Sequence, residues 1–147
     1  MKKRKGFTLF ELLVTMAVLS LVFAFGIPTF RFYQREAIGA RIDGDLRILS
    51  AALKIYERDL GQLPEEKDYQ KTLINSDPQI IDKVLADPYS DFGNAPYPYK
   101  LSHNQKYYVL YSIGLLGDNT AEVSNDGRVA FKMGDPRVEK WISNGKI

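Results

Sequence analysis

The chain has 147 residues, 20 Lys and Arg, 18 Asp and Glu, and no cysteine. That length holds one ordinary domain and is too short for a typical two-domain enzyme. The missing cysteine excludes disulfides, thiolate metal centres and thiol nucleophiles, and a formal net charge of +2 is too small to argue for nucleic acid. Four of the positive charges are Lys2, Lys3, Arg4 and Lys5, so the basicity belongs to the first few residues and the body is slightly acidic.

Residues 7–30 are almost wholly apolar, with Glu11 as the single charge. As a helix at about 1.5 Å per residue this stretch spans about 36 Å, enough for a hydrocarbon core about 30 Å thick. The basic cluster ahead of it stays on the cytoplasmic side and the rest of the chain lies beyond the membrane. A secretory signal does not fit, because the apolar run is too long and no small-x-small cleavage site follows it. The small residue in a suggestive place is Gly6, ahead of the run. Cutting after it removes the basic leader and keeps the helix. Glu11 is the oddity, since a carboxylate in an apolar helix is costly in lipid and calls for a partner. It either snorkels or stays protonated near the interface, or it meets a positive charge from another subunit. Cleavage after Gly6 creates one such charge, the α-amine of Phe7.

The run Lys5-Gly6-Phe7-Thr8-Leu9-Phe10-Glu11-Leu12-Leu13-Val14 resembles the N-terminal processing motif of type IV pilins and type II secretion pseudopilins. The resemblance implies cleavage between Gly6 and Phe7 by a prepilin peptidase, methylation of the new amine, and a subunit-docking role for Glu11. Phe10 departs from the Ile or Leu more common there. Pro28 falls where the family often carries a helix-kinking proline.

Helical periodicity continues over 30–60, with Ile38, Ile42, Leu46, Leu49, Leu53 and Tyr56 on one face. Gly39 and Gly44 weaken this helix by about 1 kcal/mol each relative to Ala and mark bends or close packing. Gly61 and Pro64 stop it. The charges along it read as a solvated face or as pairing between subunits. Short helices are expected at 65–73 and 78–85, followed by a proline-rich loop at 88–99 that cannot be a central strand. Residues 106–112 read as a strand and 114–126 as a loop. Residues 128–132 read as a second strand, entered by an Asn125-Asp126-Gly127 turn. Trp141 and Ile142 pack back on the sheet. Several stretches are similar to the major pseudopilin of type II secretion: Tyr56 to Pro64, Asp87-Pro88-Tyr89 through Tyr97, and the tyrosine-rich strand ending Ser112-Ile113-Gly114. The last motifs are loose matches, and Ser90, Asp91, Phe92 and Ala95 enlarge the second.

Asp118, Asn119, Glu122, Asn125 and Asp126 offer hard oxygen donors at close spacing, which suits Ca2+. The resemblance implies calcium in this loop, with Asp118, Asn119, Glu122 and Asp126 as its candidate ligands. Against it stand Leu115 and Leu116, the missing Asp-x-Asp pair, and the lack of an EF-hand pattern. An ordinary polar turn is the alternative. His103 is the sole histidine, and no Gly-x-Ser-x-Gly accompanies it, so no enzyme is expected. The tyrosines from Tyr89 to Tyr111 read as sheet packing, or else as a surface for sugar or protein partners.

The expected fold is α+β and pilin-like, a long N-terminal helix packed on a small antiparallel sheet. Residues 1–6 are a cleaved leader, 7–30 a transmembrane and filament-core helix, and 31–147 a periplasmic globular domain. The resemblance implies a structural subunit of a pilus-like filament, foremost the major pseudopilin of a type II secretion system. A true type IV pilin and a minor tip-binding subunit are the alternatives. Its implied partners are further copies of itself, minor pseudopilins or pilins, the prepilin peptidase, and an assembly platform in the inner membrane. The chain then passes from the bacterial inner membrane into a periplasmic or surface filament, and no nucleic acid is expected.

Overall fold

The computed structural model describes residues 7–90, 93–115, 117, 119–132 and 140–145, except the side chains at 26, 28, 29 and 31. Helix α1 runs Leu9–Leu60, and α2 runs Tyr69–Ile74. Five short strands follow: β1 Tyr99–Leu101, β2 Tyr108–Tyr111, β3 Thr120–Val123, β4 Val129–Lys132 and β5 Trp141–Ser143. The chain divides into two compact units, Met1–Ala37 and Ile38–Ile147. Positions 32–37 are exposed helix, and the second unit starts at Ile38, while the boundary expected from the sequence falls after residue 30.

Helix α1 stops where Gly61 takes φ +74 and its N–H donates to the Glu57 carbonyl at 2.8 Å. This left-handed cap suits glycine, which has no Cβ to clash. Inside the helix, a Cβ at Gly39 or Gly44 would meet nothing within 4 Å. Close packing within the chain therefore does not explain either glycine.

In the globular unit, strands β1, β2 and β5 form an antiparallel sheet in the order β1-β2-β5, and β3 and β4 form a separate hairpin. β2 is buried at every position, because its two faces serve two cores. Tyr108 and Leu110 pack with Ile42, Leu46, Leu49 and Leu53 of α1 and with Tyr69 and Leu73 of α2. Val109 and Tyr111 pack with Ala121, Val123, Val129, Phe131 and Trp141. The layers are thus helix, sheet and hairpin, and each fully buried Leu or Ile contributes about 1.5–3 kcal/mol. The hairpin turns through Asn125, Asp126 and Gly127. Gly127 has φ +84, and its N–H donates to Ser124 O at 3.0 Å.

Three sequence expectations need correction. Residues 78–85 are not helical. Their backbone is held instead by Gln70, whose amide accepts from Leu85 N at 2.7 Å and donates to Leu85 O at 2.9 Å. β1 starts at the end of the stretch read as a proline-rich loop. It lies at the sheet edge, where neighbouring prolines remove no ladder bond. β3 lies inside the stretch 114–126 read as a loop. Its four residues alternate exposed and buried, too few to stand out among Gly, Asn and Asp.

Candidate functional site

The N-terminus of α1 is capped by its own side chains. Thr8 stands at the N-cap and Glu11 three residues on. Thr8 N donates to Glu11 Oε2 at 2.9 Å and Thr8 Oγ1 donates to the same oxygen at 2.8 Å, while Glu11 N donates to Thr8 Oγ1 at 3.2 Å. This reciprocal capping box satisfies donors that a helix start leaves open. Both Thr8 donors converge on Oε2, and Oε1 accepts no hydrogen bond among the described residues. One oxygen therefore orients the carboxylate and the other faces outward. Phe7 beside it is 78% exposed. Gly6, the other half of the expected cleavage junction, lies outside the described residues.

The first unit exposes Leu9, Phe10, Leu13, Met16, Leu19, Val22, Phe25 and further apolar side chains up to Tyr33. An apolar surface of that extent marks contact with lipid or protein. Among the described residues, no helix is long and apolar enough to cross a membrane. The run read at 7–30 continues through positions 26, 28 and 29, whose side chains lie outside the description.

The candidate calcium ligands are not brought together. Asp118 lies outside the described residues. Asn119 is buried, and its Nδ2 donates to Ser112 O at 3.3 Å. Glu122 is exposed on β3, and successive strand residues put it on the opposite face from Asn119. Asp126 sits in the hairpin turn, paired with Arg128 at 3.1 Å. The strand between Asn119 and Asp126 is about 13 Å long at ~3.3 Å per residue, whereas calcium holds its ligands at about 2.3–2.6 Å. These three residues do not fit one ion. Among the described residues, no group of three or more His, Asp or Glu side chains is placed to hold a metal.

The tyrosines from Tyr89 to Tyr111 pack into or against the two cores, with Tyr89 and Tyr107 half-buried. Tyr97, Tyr99, Tyr108 and Tyr111 are all buried. Tyr69 stacks on Tyr99 at 4.6 Å between centroids. Tyr97 OH donates to Asp45 Oδ2 at 3.0 Å, and Tyr108 OH bonds Ser50 Oγ at 2.9 Å. Burial pushes the Tyr69, Tyr97, Tyr99 and Tyr108 hydroxyls above their ordinary range. The Asp45 carboxylate adds to the rise at Tyr97, whereas the Ser50 bond opposes it at Tyr108. His103 is exposed in the turn after β1.

Two residues escaped the sequence reading. Thr8 was legible as the first member of a Thr-x-x-Glu pattern, the mark of a capping box. Asp87 stands before a proline in the stretch Asp87-Pro88-Tyr89 and reads as an ordinary loop residue. It is instead fully buried and accepts three hydrogen bonds, which no local pattern announces.

Residues 1–27 match the prokaryotic N-terminal methylation motif. Over 140 residues the chain is 27% identical to the type II secretion system core protein G of Pseudomonas aeruginosa, covering 84% of this chain and 96% of that protein. No solved structure matches the chain. The chain carries the N-terminal methylation motif and is similar along most of its length to a core protein of type II secretion.

Proposed function

We infer that this chain is the major pseudopilin of a type II secretion system, a structural subunit of a pilus-like filament with no catalytic role. The observation that carries the reading is the similarity to core protein G over 96% of that protein's length, joined to a methylation motif at residues 1–27. In this reading the prepilin waits in the inner membrane with Lys2–Lys5 in the cytoplasm and the globular unit in the periplasm. The single-charge run 7–30 supports the anchor. A prepilin peptidase cuts after Gly6, and the Phe7 amine is methylated.

Glu11 then docks. Thr8 holds Oε2, so Oε1 is presented to the Phe7 amine of a neighbouring subunit. In a low-dielectric surrounding an unpaired carboxylate is costly, so pairing fixes the axial register. The exposed apolar side chains of the first unit exchange lipid for neighbouring helices. The partners are copies of this chain, minor pseudopilins and the inner-membrane assembly platform.

Cell fractionation at native expression tests this reading, with peptide mass spectrometry on sheared fibres, periplasm and inner membrane. Processed chain beginning at Phe7 and kept in the envelope is the expected result. Abundant processed chain in sheared surface fibres overturns it in favour of a true type IV pilin.

A further inference from the structure

The family resemblance points to a cation as the device that closes the loop after β2, yet the described donors do not converge on one. The two ends of that loop are joined by other means. Asp87 is completely buried. Its Oδ1 accepts from Ser112 Oγ at 3.0 Å and from Tyr89 N at 3.0 Å, and its Oδ2 accepts from Ile113 N at 2.8 Å. From the other end, Asn119 N donates to Ile113 O at 3.1 Å, and Asn119 Nδ2 donates to Ser112 O at 3.3 Å. Ser112 Oγ also accepts from Gly114 N at 3.3 Å. Gly114 has φ +75, and a Cβ there would lie 2.5 Å from Asn119 Nδ2. The glycine therefore makes room for the amide that closes the loop.

We propose that Asp87 and Asn119 form a latch that shuts the loop between Ser112 and Asn119 with protein atoms alone, so that the globular unit folds independently of calcium. Both backbone groups of Ile113 and the carbonyl of Ser112 are satisfied by this latch, which leaves a cation little to organise there. The inference concerns closure of the domain and does not rest on the filament reading.

The test uses the full-length processed chain in detergent micelles, with thermal unfolding followed by circular dichroism in millimolar calcium chloride and in excess EDTA. The Tm of the natural chain is expected to agree between the two buffers, because a ligand that binds only the folded state would raise it. Asp87→Asn keeps the volume but sets an amide N–H2 against Ile113 N–H. Asn119→Leu removes the amide. Each is expected to lower Tm by about 5–10 °C in both buffers. If Asp87→Asn does not fold, Ser112→Ala removes one arm of the latch and is expected to lower Tm by about 2–5 °C. A calcium-dependent rise of several degrees in the natural chain overturns the proposal. So does a latch variant that melts like the natural chain in EDTA.

Discussion

Raising the pH should unfold the globular unit through its tyrosines. Tyr69, Tyr97, Tyr99 and Tyr108 keep their protons to higher pH in the fold than in the open chain, chiefly because burial disfavours the phenolate. A folded-state pKa above the unfolded value of about 10 means full stability below that pH and a loss as pH rises toward the folded value. Each fully protected tyrosine removes about 1.4 kcal/mol per pH unit above 10. Tyr69, Tyr97 and Tyr99 line a common open cleft, where solvent screens part of the effect, so the four together are counted as about two in full, or about 3 kcal/mol per unit. A domain stable by roughly 6 kcal/mol then reaches its midpoint near pH 12. The assay is a spectrophotometric titration of tyrosinate alongside far-ultraviolet circular dichroism. The four buried tyrosines should ionise above their ordinary range, together with the loss of dichroism. A single ionisation near pH 10 covering all nine tyrosines, with the dichroism unchanged, would refute the reasoning.

Glu11→Ala is expected to abolish filament assembly while leaving cleavage after Gly6 intact, as read by electron microscopy and by N-terminal peptide mass; normal filaments in that variant would remove the docking role. Thr8→Val deletes the hydroxyl that orients Glu11 Oε2 but retains the backbone donor. Its assembly yield should fall between the natural chain and Glu11→Ala. Gly114→Ala forces a left-handed backbone on a residue with a side chain and drives it into Asn119. A loss of about 1–3 kcal/mol in chemical unfolding is expected. Leu53→Ala, at a fully buried helix position, should cost about 2–5 kcal/mol by the same measurement.

The helical half was legible because its signals are local. Gly6, Phe7 and Glu11 sit in one short motif, the apolar positions Ile42 to Leu53 repeat at helical spacing, and Gly61 ends the helix where glycine alone is comfortable. The sheet was half legible. Tyr108–Tyr111 is rich in aromatic and β-branched residues, whereas Tyr99–Leu101 and Thr120–Val123 are too short to show a period. What holds the sheet is distant in sequence: Glu66 accepting from Leu101 N at 2.8 Å in β1, Asn144 accepting from Tyr108 N at 2.7 Å in β2, and Asp87 reaching Ser112 just past β2. A polar residue that pairs across the chain looks, in sequence, like any loop residue. For the same reason the acidic positions after residue 117 read as one cluster, although the pleat turns Asn119 and Glu122 to opposite faces.

Three polar ties join two turns of α1 to β2 and to the segments leading into β1 and β5. Lys140, just ahead of β5, binds Asp43; Tyr97 binds Asp45; and Tyr108 binds Ser50. Apolar packing resists separation of two layers but is non-directional and resists sliding only weakly, whereas a hydrogen bond is lost after a small lateral displacement. An axial load on the helix is therefore passed to the sheet by shear across these three ties, spaced along two turns. Sliding of the helix along its own axis past the sheet would have to break all three ties, whereas their loss would leave the apolar layer to resist it alone.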